Sequence, residues 1–171
     1  MEKFKRTRWR PGMVFGIPLA DGSFGIIQAI DIMLVNVIYI AVFSDRYEYL
    51  PSNIISLKND NLISLQATWK QDLNNGSWAN ICTIEPAVKK VDFPNEKFSE
   101  SGYVGAKHAS GGMFNRFLNA YHGIEPWNVM ADERYWDTYL NVGKSRPEEA
   151  FCLNDEERNK YRSEILGVKN S

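Results

Sequence analysis

The chain has 171 residues, 44% of them hydrophobic, with 20 Lys and Arg against 21 Asp and Glu for a formal net charge of −1. That length fits one domain able to bury a sizeable core without disulfide or metal staples. The balanced charge argues against a broad phosphate-binding face, which needs clustered Lys and Arg, and equally against an acidic nucleic-acid mimic.

Residues 1–10 hold Lys3, Lys5, Arg6, Arg8 and Arg10 against Glu2. They read as a flexible, solvated basic leader, with a nucleic-acid arm as the competing reading. Residues 11–171 read as a single α+β domain. "MVFGIPL", "ADGS" and "FGIIQAI" follow as strand, turn and strand, with Asp21-Gly22 as the hairpin signal. Pro18 lacks an amide donor, so it puts the first strand at an edge or ends its ladder. "NVIYIAVFSDRY" is a third strand, apolar on both faces and therefore central. Residues 26–43 are long enough to span a bilayer, but Gln28, Asp31 and Asn36 interrupt them. Their Ile and Val content suits two adjacent buried strands, so no membrane partner is expected. Three sequential strands make an antiparallel meander, the start of a curved sheet.

Turn residues at Pro51–Asn53 and Asn59–Asn61 frame short strands around Ile54–Leu57 and Ile63–Gln66. Asn75-Gly76 turns the chain into a strand from Trp78 to Ile84. The period then changes. Met113, Phe114, Phe117, Leu118 and Tyr121 form a helical stripe, with Ser110 as its cap and Gly123 as its stop. "DERYWDTYLNVG" repeats the plan, with Asp132 as cap and Tyr135, Trp136, Tyr139 and Leu140 as stripe. "LNDEERNKYRSEILG" opens on a capping box of Asn154 and Glu157 and stops at Gly167. Strands first and helices later predict α+β architecture: an N-terminal antiparallel meander with C-terminal helices packed on it.

Catalytic chemistry is thin. Nucleophilic catalysis needs a Cys or Ser beside a base, and the chain has Cys82, Cys152, His108 and His122 with no local arrangement that pairs them. The two histidines stand 14 positions apart, without the i, i+4 spacing of a helical metal site. No catalytic residue, metal ligand or cofactor is therefore assigned. "GYVGAKHASGGMF", residues 102–114, is the alternative: its glycines precede a helix N-terminus, where amides cradle an anion in a small-molecule or anion-binding enzyme or module. Its bland counterpart is close helix packing. Unpaired cysteines and a charged N-terminus without an apolar h-region suit a reduced, cytoplasmic chain.

The stretch "RPGMVFGIPLADGSFGIIQAI" resembles the opening of the immunity protein 26 family of bacterial polymorphic toxin systems. Pro11, Gly12, Val14, Phe15, Ile17, Pro18, Leu19, Gly22 and Gly25 carry the match. "NNGSWANICTIEP" is similar to the family's middle phrase at Gly76, Trp78 and Ile81. "GGMFNRFLNAYHGIEPWNVMADERYWDTYL" is similar to its close at Phe117, Leu118, Ala120, Tyr121, Gly123, Pro126, Trp127, Tyr135 and Leu140. The likeness covers about residues 9–140. Met13 departs from a usual polar residue and Cys82 from a common glycine.

The resemblance implies a non-enzymatic immunity protein that neutralises a contact-dependent or polymorphic toxin by stoichiometric binding. Its partner would be the cognate toxin's C-terminal domain, a nuclease among the possibilities. The matched residues are mainly apolar and read as scaffold. Contact candidates are the acid-and-ring clusters Asp45, Arg46, Tyr47 and Glu48, and Asp132, Glu133 and Asp137. The competing reading makes both clusters ordinary edges of the fold.

Overall fold

A computed structural model describes residues 3–54, 56–94, 108–165 and 167. Its centre is a five-stranded antiparallel sheet. β1 (Met13–Pro18), β2 (Phe24–Leu34) and β3 (Val37–Tyr47) form the expected meander. β4 (Leu62–Trp69) pairs with β3, and β5 (Ala79–Thr83) pairs with β1, giving the order β4-β3-β2-β1-β5. The first turn lies at Asp21-Gly22, where Leu19 N donates to Ser23 O and Gly22 N to Leu19 O. β1 is thus interior, and Pro18 ends its ladder: it pairs with Phe24, while the pairing to β5 stops at Gly16. Residues 26–43 are two strands, and no helix among the described residues is long and apolar enough to cross a membrane.

The sheet is buried on both faces, which explains the near-continuous apolar runs of β2 and β3. Along β3, Ile38, Ile40 and Val42 enter one core, while Val37, Tyr39, Ala41 and Phe43 enter the other. Side chains of a strand alternate in this way because successive Cβ atoms point to opposite faces. Register shifts in β1–β5, β2–β3 and β3–β4 interrupt the ladders. Such bulges bend a strand and raise its twist.

On the first face lies α2 (Gly111–Tyr121), following α1 (Lys70–Asn74), a short helix that the sequence reading did not include. Phe114, Phe117 and Leu118 point into the core. Phe117 sits in a ring of aromatics, with centroids 5.2 Å from Tyr139, 5.8 Å from Trp136 and 6.1 Å from both Trp127 and Tyr121. Gly123 follows α2 with φ +66°, and a Cβ there would run into the Glu149 carbonyl. Only glycine suits both constraints.

Three expectations need correction. Ser110 stands at the N-cap of α2 as expected, but its side chain makes no cap bond: Asp72 Oδ2 accepts from Gly111 N at 2.8 Å instead. The Tyr135–Tyr139 segment is a 3-10 helix, not an α-helix. Its would-be cap Asp132 accepts from Arg134 N in a local turn, so no long helix is launched. Finally, Ile54 and residues 56–57 are not in a strand; Ile54 plugs the second core from a loop. By contrast, α3 (Asp155–Glu164) opens on the expected capping box, Asn154 accepting from Glu157 N at 3.0 Å.

Residues from Ile84 to Phe93, loop apart from the one-turn 3-10 helix Lys90–Asp92, cover the second face together with Ile54 and Leu57. Fully buried Gln28 clips this layer down. Its Nε2 donates to Gly12 O and Glu85 O, and its Oε1 accepts from Ala87 N at 2.8 Å. The leader, expected as a loose end, is tied at two points. Phe4 N donates to Gly76 O at 2.9 Å, and Trp9 N to Asn74 Oδ1 at 2.8 Å.

Candidate partner-binding surface

The first candidate cluster ends β3. Asp45 accepts two bonds from Asn61 Nδ2, at 3.0 and 3.1 Å. Arg46 reaches across the first hairpin, pairing with Asp21 and donating from Nε to Ser23 Oγ at 2.9 Å. Ser23 Oγ donates in turn to Asp21 Oδ1. That bond, more than the Arg46 charge, holds the Asp21 carboxyl below its usual range. Tyr47 is half-buried, and burial with the Asp45 charge raises its phenol. Glu48 is exposed. Of the four, then, Asp45 and Arg46 serve the fold and Glu48 faces water.

The second cluster is likewise engaged. Asp137 Oδ1 accepts from the indole of buried Trp127 at 2.9 Å, and Oδ2 from Arg134 Nε at 3.3 Å. Glu133 pairs with Arg158 at 3.1 Å. Arg158 is itself buried and donates to the carbonyls of Asn128, Met130 and Ala131. Asp132 makes the local turn already described. The 3-10 turn Asn59–Asn61 holds Asp45 through Asn61, and its Asp60 carbonyl accepts from Lys144 Nζ at 2.7 Å, in the loop that follows the second cluster.

Beside the second cluster lies an open cleft of about 650 Å³, whose lining includes Trp127, Leu140, Asp137, Lys144, Arg146 and Cys152. Lys144 and Arg146 lie in "VGKSRPEE", where no motif singled them out.

The potential nucleophiles and bases are dispersed. Cys82 is half-buried and donates to Ile54 O at 3.4 Å. Cys152 is exposed and accepts from Arg146 at 2.8 Å. His108 is exposed, its ring edge-on to Trp69 at 4.3 Å. His122 ends α2 and is half-buried, and no partner reaches its buried Nε2. Burial, with the Arg46 charge, lowers its pKa to about 4 against the opposing pull of Glu149 and Asp21. Among the described residues no hydrogen bond joins a cysteine to a histidine, and no group of three or more His, Cys, Asp or Glu is placed to hold a metal. Of the Gly-rich stretch, residues 102–107 lie outside the described residues. At its end the first helical amide, Gly111 N, is taken by the Asp72 carboxylate, which occupies the position an anion would need.

The scaffold residues converge. Phe15, Ile17, Trp78, Phe117 and Trp127 belong to one buried cluster, with Tyr121 and Tyr135 packed against it. Pro18 ends the strand before the first turn, and Gly22 lies in the turn with φ +89°. Comparison with protein-family models, with curated proteins and with solved structures matches this chain to none of them.

Proposed function

We propose that this chain is a cytoplasmic immunity protein that neutralises a bacterial toxin by stoichiometric binding to the toxin's C-terminal domain. The observation that carries this reading is the order of three family-like phrases along the sequence. Support comes from where they lie: "MVFGIPL", the Trp78 phrase and the Phe117–Leu140 phrase each contribute to one core on one face of the sheet. Residues shared for packing are what a common scaffold requires, with the contacts left to the variable surface. On this reading the chain catalyses nothing, and protection comes from occupying the toxin.

The test is survival of cells expressing the toxin domain of the neighbouring open reading frame, with and without this chain, alongside co-purification of the two. Protection with a one-to-one complex is the expected result. His108→Ala and Cys82→Ser should protect as well as the wild type when folded. Loss of protection in either folded variant, or protection without a complex, would count for an enzyme instead. Among the first candidates, Glu48→Lys is the clean probe of contact, because Glu48 is exposed. Reversal at Asp137 reports on folding, since it strips the Trp127 indole of its acceptor.

A further inference from the structure

The acids around the 650 Å³ cleft are engaged inside the molecule, one of them with the lining cation Arg134, while two further cations, Lys144 and Arg146, are not neutralised. Asp137 serves Trp127 and Arg134, and Glu133 serves Arg158. Among the described residues, no acid forms an ion pair with Lys144 or Arg146. Both are nonetheless held. Lys144 donates to the Asp60 carbonyl at 2.7 Å and Arg146 to the Cys152 sulfur at 2.8 Å. Neutral acceptors fix where a cation sits without cancelling its charge.

The loop that carries them is fastened at both ends. Asn141 N donates to Ile63 O at 2.9 Å. At the other end Asn128 and Leu153 exchange reciprocal bonds at 2.8 and 2.9 Å, and Trp127 N donates to Phe151 O at 2.8 Å. Cations already held in place lose less freedom when an anion arrives. Within the same loop, Val142 is fully exposed and Phe151 is 43% exposed. Exposed apolar side chains on the loop that carries both cations suit a protein partner, whereas a phosphate backbone needs a wider field of positive charge than a chain of net −1 supplies.

From this arrangement we propose that the cleft docks a segment of a protein partner bearing Asp or Glu side chains, which Lys144 and Arg146 engage as a pair while Val142 and Phe151 pack beside them. The inference rests on the toxin-binding reading and deepens it, assigning a surface and a charge to the contact. It also reverses the expectation from the sequence, in which the acids of this face made the contact.

The test uses the full chain as wild type and as Lys144→Glu/Arg146→Glu, each checked by thermal melting. The probes are a short Glu-rich peptide, its counterpart with Lys in place of Glu, and a single-stranded DNA of matched length. The wild type should bind the acidic peptide about tenfold or more tightly than the other two, and the double reversal should abolish that preference. If the double reversal melts early, Lys144→Gln and Arg146→Gln carry the same comparison without added charge. Equal binding of the acidic peptide by wild type and folded variants, or a preference for DNA, overturns the proposal. Co-purification separates the two levels. A toxin domain held equally by wild type and double reversal sinks the cleft and leaves the wider reading standing. A toxin domain held by neither, with the acidic peptide bound by wild type alone, sinks the wider reading and leaves the cleft standing.

Discussion

At the scale of single residues, a polar side chain at the edge of this fold is defined by its distant partner. Asp45 at the end of β3, Asp137 in the Tyr135–Tyr139 turn and Glu133 before it look solvated along the sequence, yet each holds a residue at least 10 positions away. His122 is the opposite case, with no partner at its Nε2, and its burial sets a pH dependence. Its folded pKa is lowered to about 4, while the unfolded ring titrates near 6.5. Above about 6.5 both states are neutral, so the folded state keeps its full stability. As pH falls from about 6.5 to about 4, the unfolded chain binds a proton that the folded chain refuses, and stability drops by about 3 kcal/mol from this group alone. Below about 4 the group causes no further loss. Urea unfolding across that window should therefore show a steeper decline for the wild type than for His122→Gln, with the two curves parallel below it. Parallel curves throughout would mean that the ring is protonated in the folded state.

At the scale of elements, what was legible depended on how local the signal was. β3 was readable because seven consecutive residues, Val37–Phe43, are apolar and feed two cores. α2 was readable from its stripe, and the start of α3 from a capping box closed within four residues. Asp72 was not readable as the cap of α2, since it lies 39 positions before Gly111. The Tyr135–Tyr139 turn defeated periodicity for another reason: inward residues spaced by three or four fit a 3-10 and an α-helix alike over five positions. The candidate surface was legible only as two short clusters, Asp45–Glu48 and Asp132, Glu133 and Asp137, in which acids predominate. Their internal partners, and the free cations of "VGKSRPEE", have no sequence pattern. α2 itself gives a paired prediction. Phe117→Ala should cost about 3–5 kcal/mol, as truncation of a core aromatic does. Asp72→Ala should cost about 1–2 kcal/mol, the range for a lost helix cap. Chemical denaturation measures both, and a Phe117→Ala variant as stable as wild type would mean that α2 presents another face to the sheet.

At the scale of the whole molecule, the sheet is a middle layer between two unlike covers. One cover is helical and aromatic, rich in rings that bury large areas. The other is mostly loop, and loops bring backbone amides and carbonyls that burial must satisfy. Gln28 meets that demand from within β2, accepting from Ala87 N and donating to the carbonyls of Gly12 and Glu85. Phe93 adds the apolar half of the clamp, its ring 4.3 Å from that of Tyr39. The two covers should consequently differ in how they open. Gln28→Leu removes the clip while keeping an apolar side chain under the loop layer, leaving the Ala87 amide and the Glu85 carbonyl without their partner, while Gly12 O keeps Ile84 N. The expected cost is about 1–3 kcal/mol, the penalty for a buried polar group left unsatisfied. Hydrogen exchange locates it: amides of residues 87–93 should exchange faster in the variant, while those of β3 and α2 keep wild-type protection. That pattern would mark the loop layer as a unit that opens on its own. Equal acceleration across β3 and α2 would instead show that both covers and the sheet between them open as one, with Gln28 stabilising the whole fold.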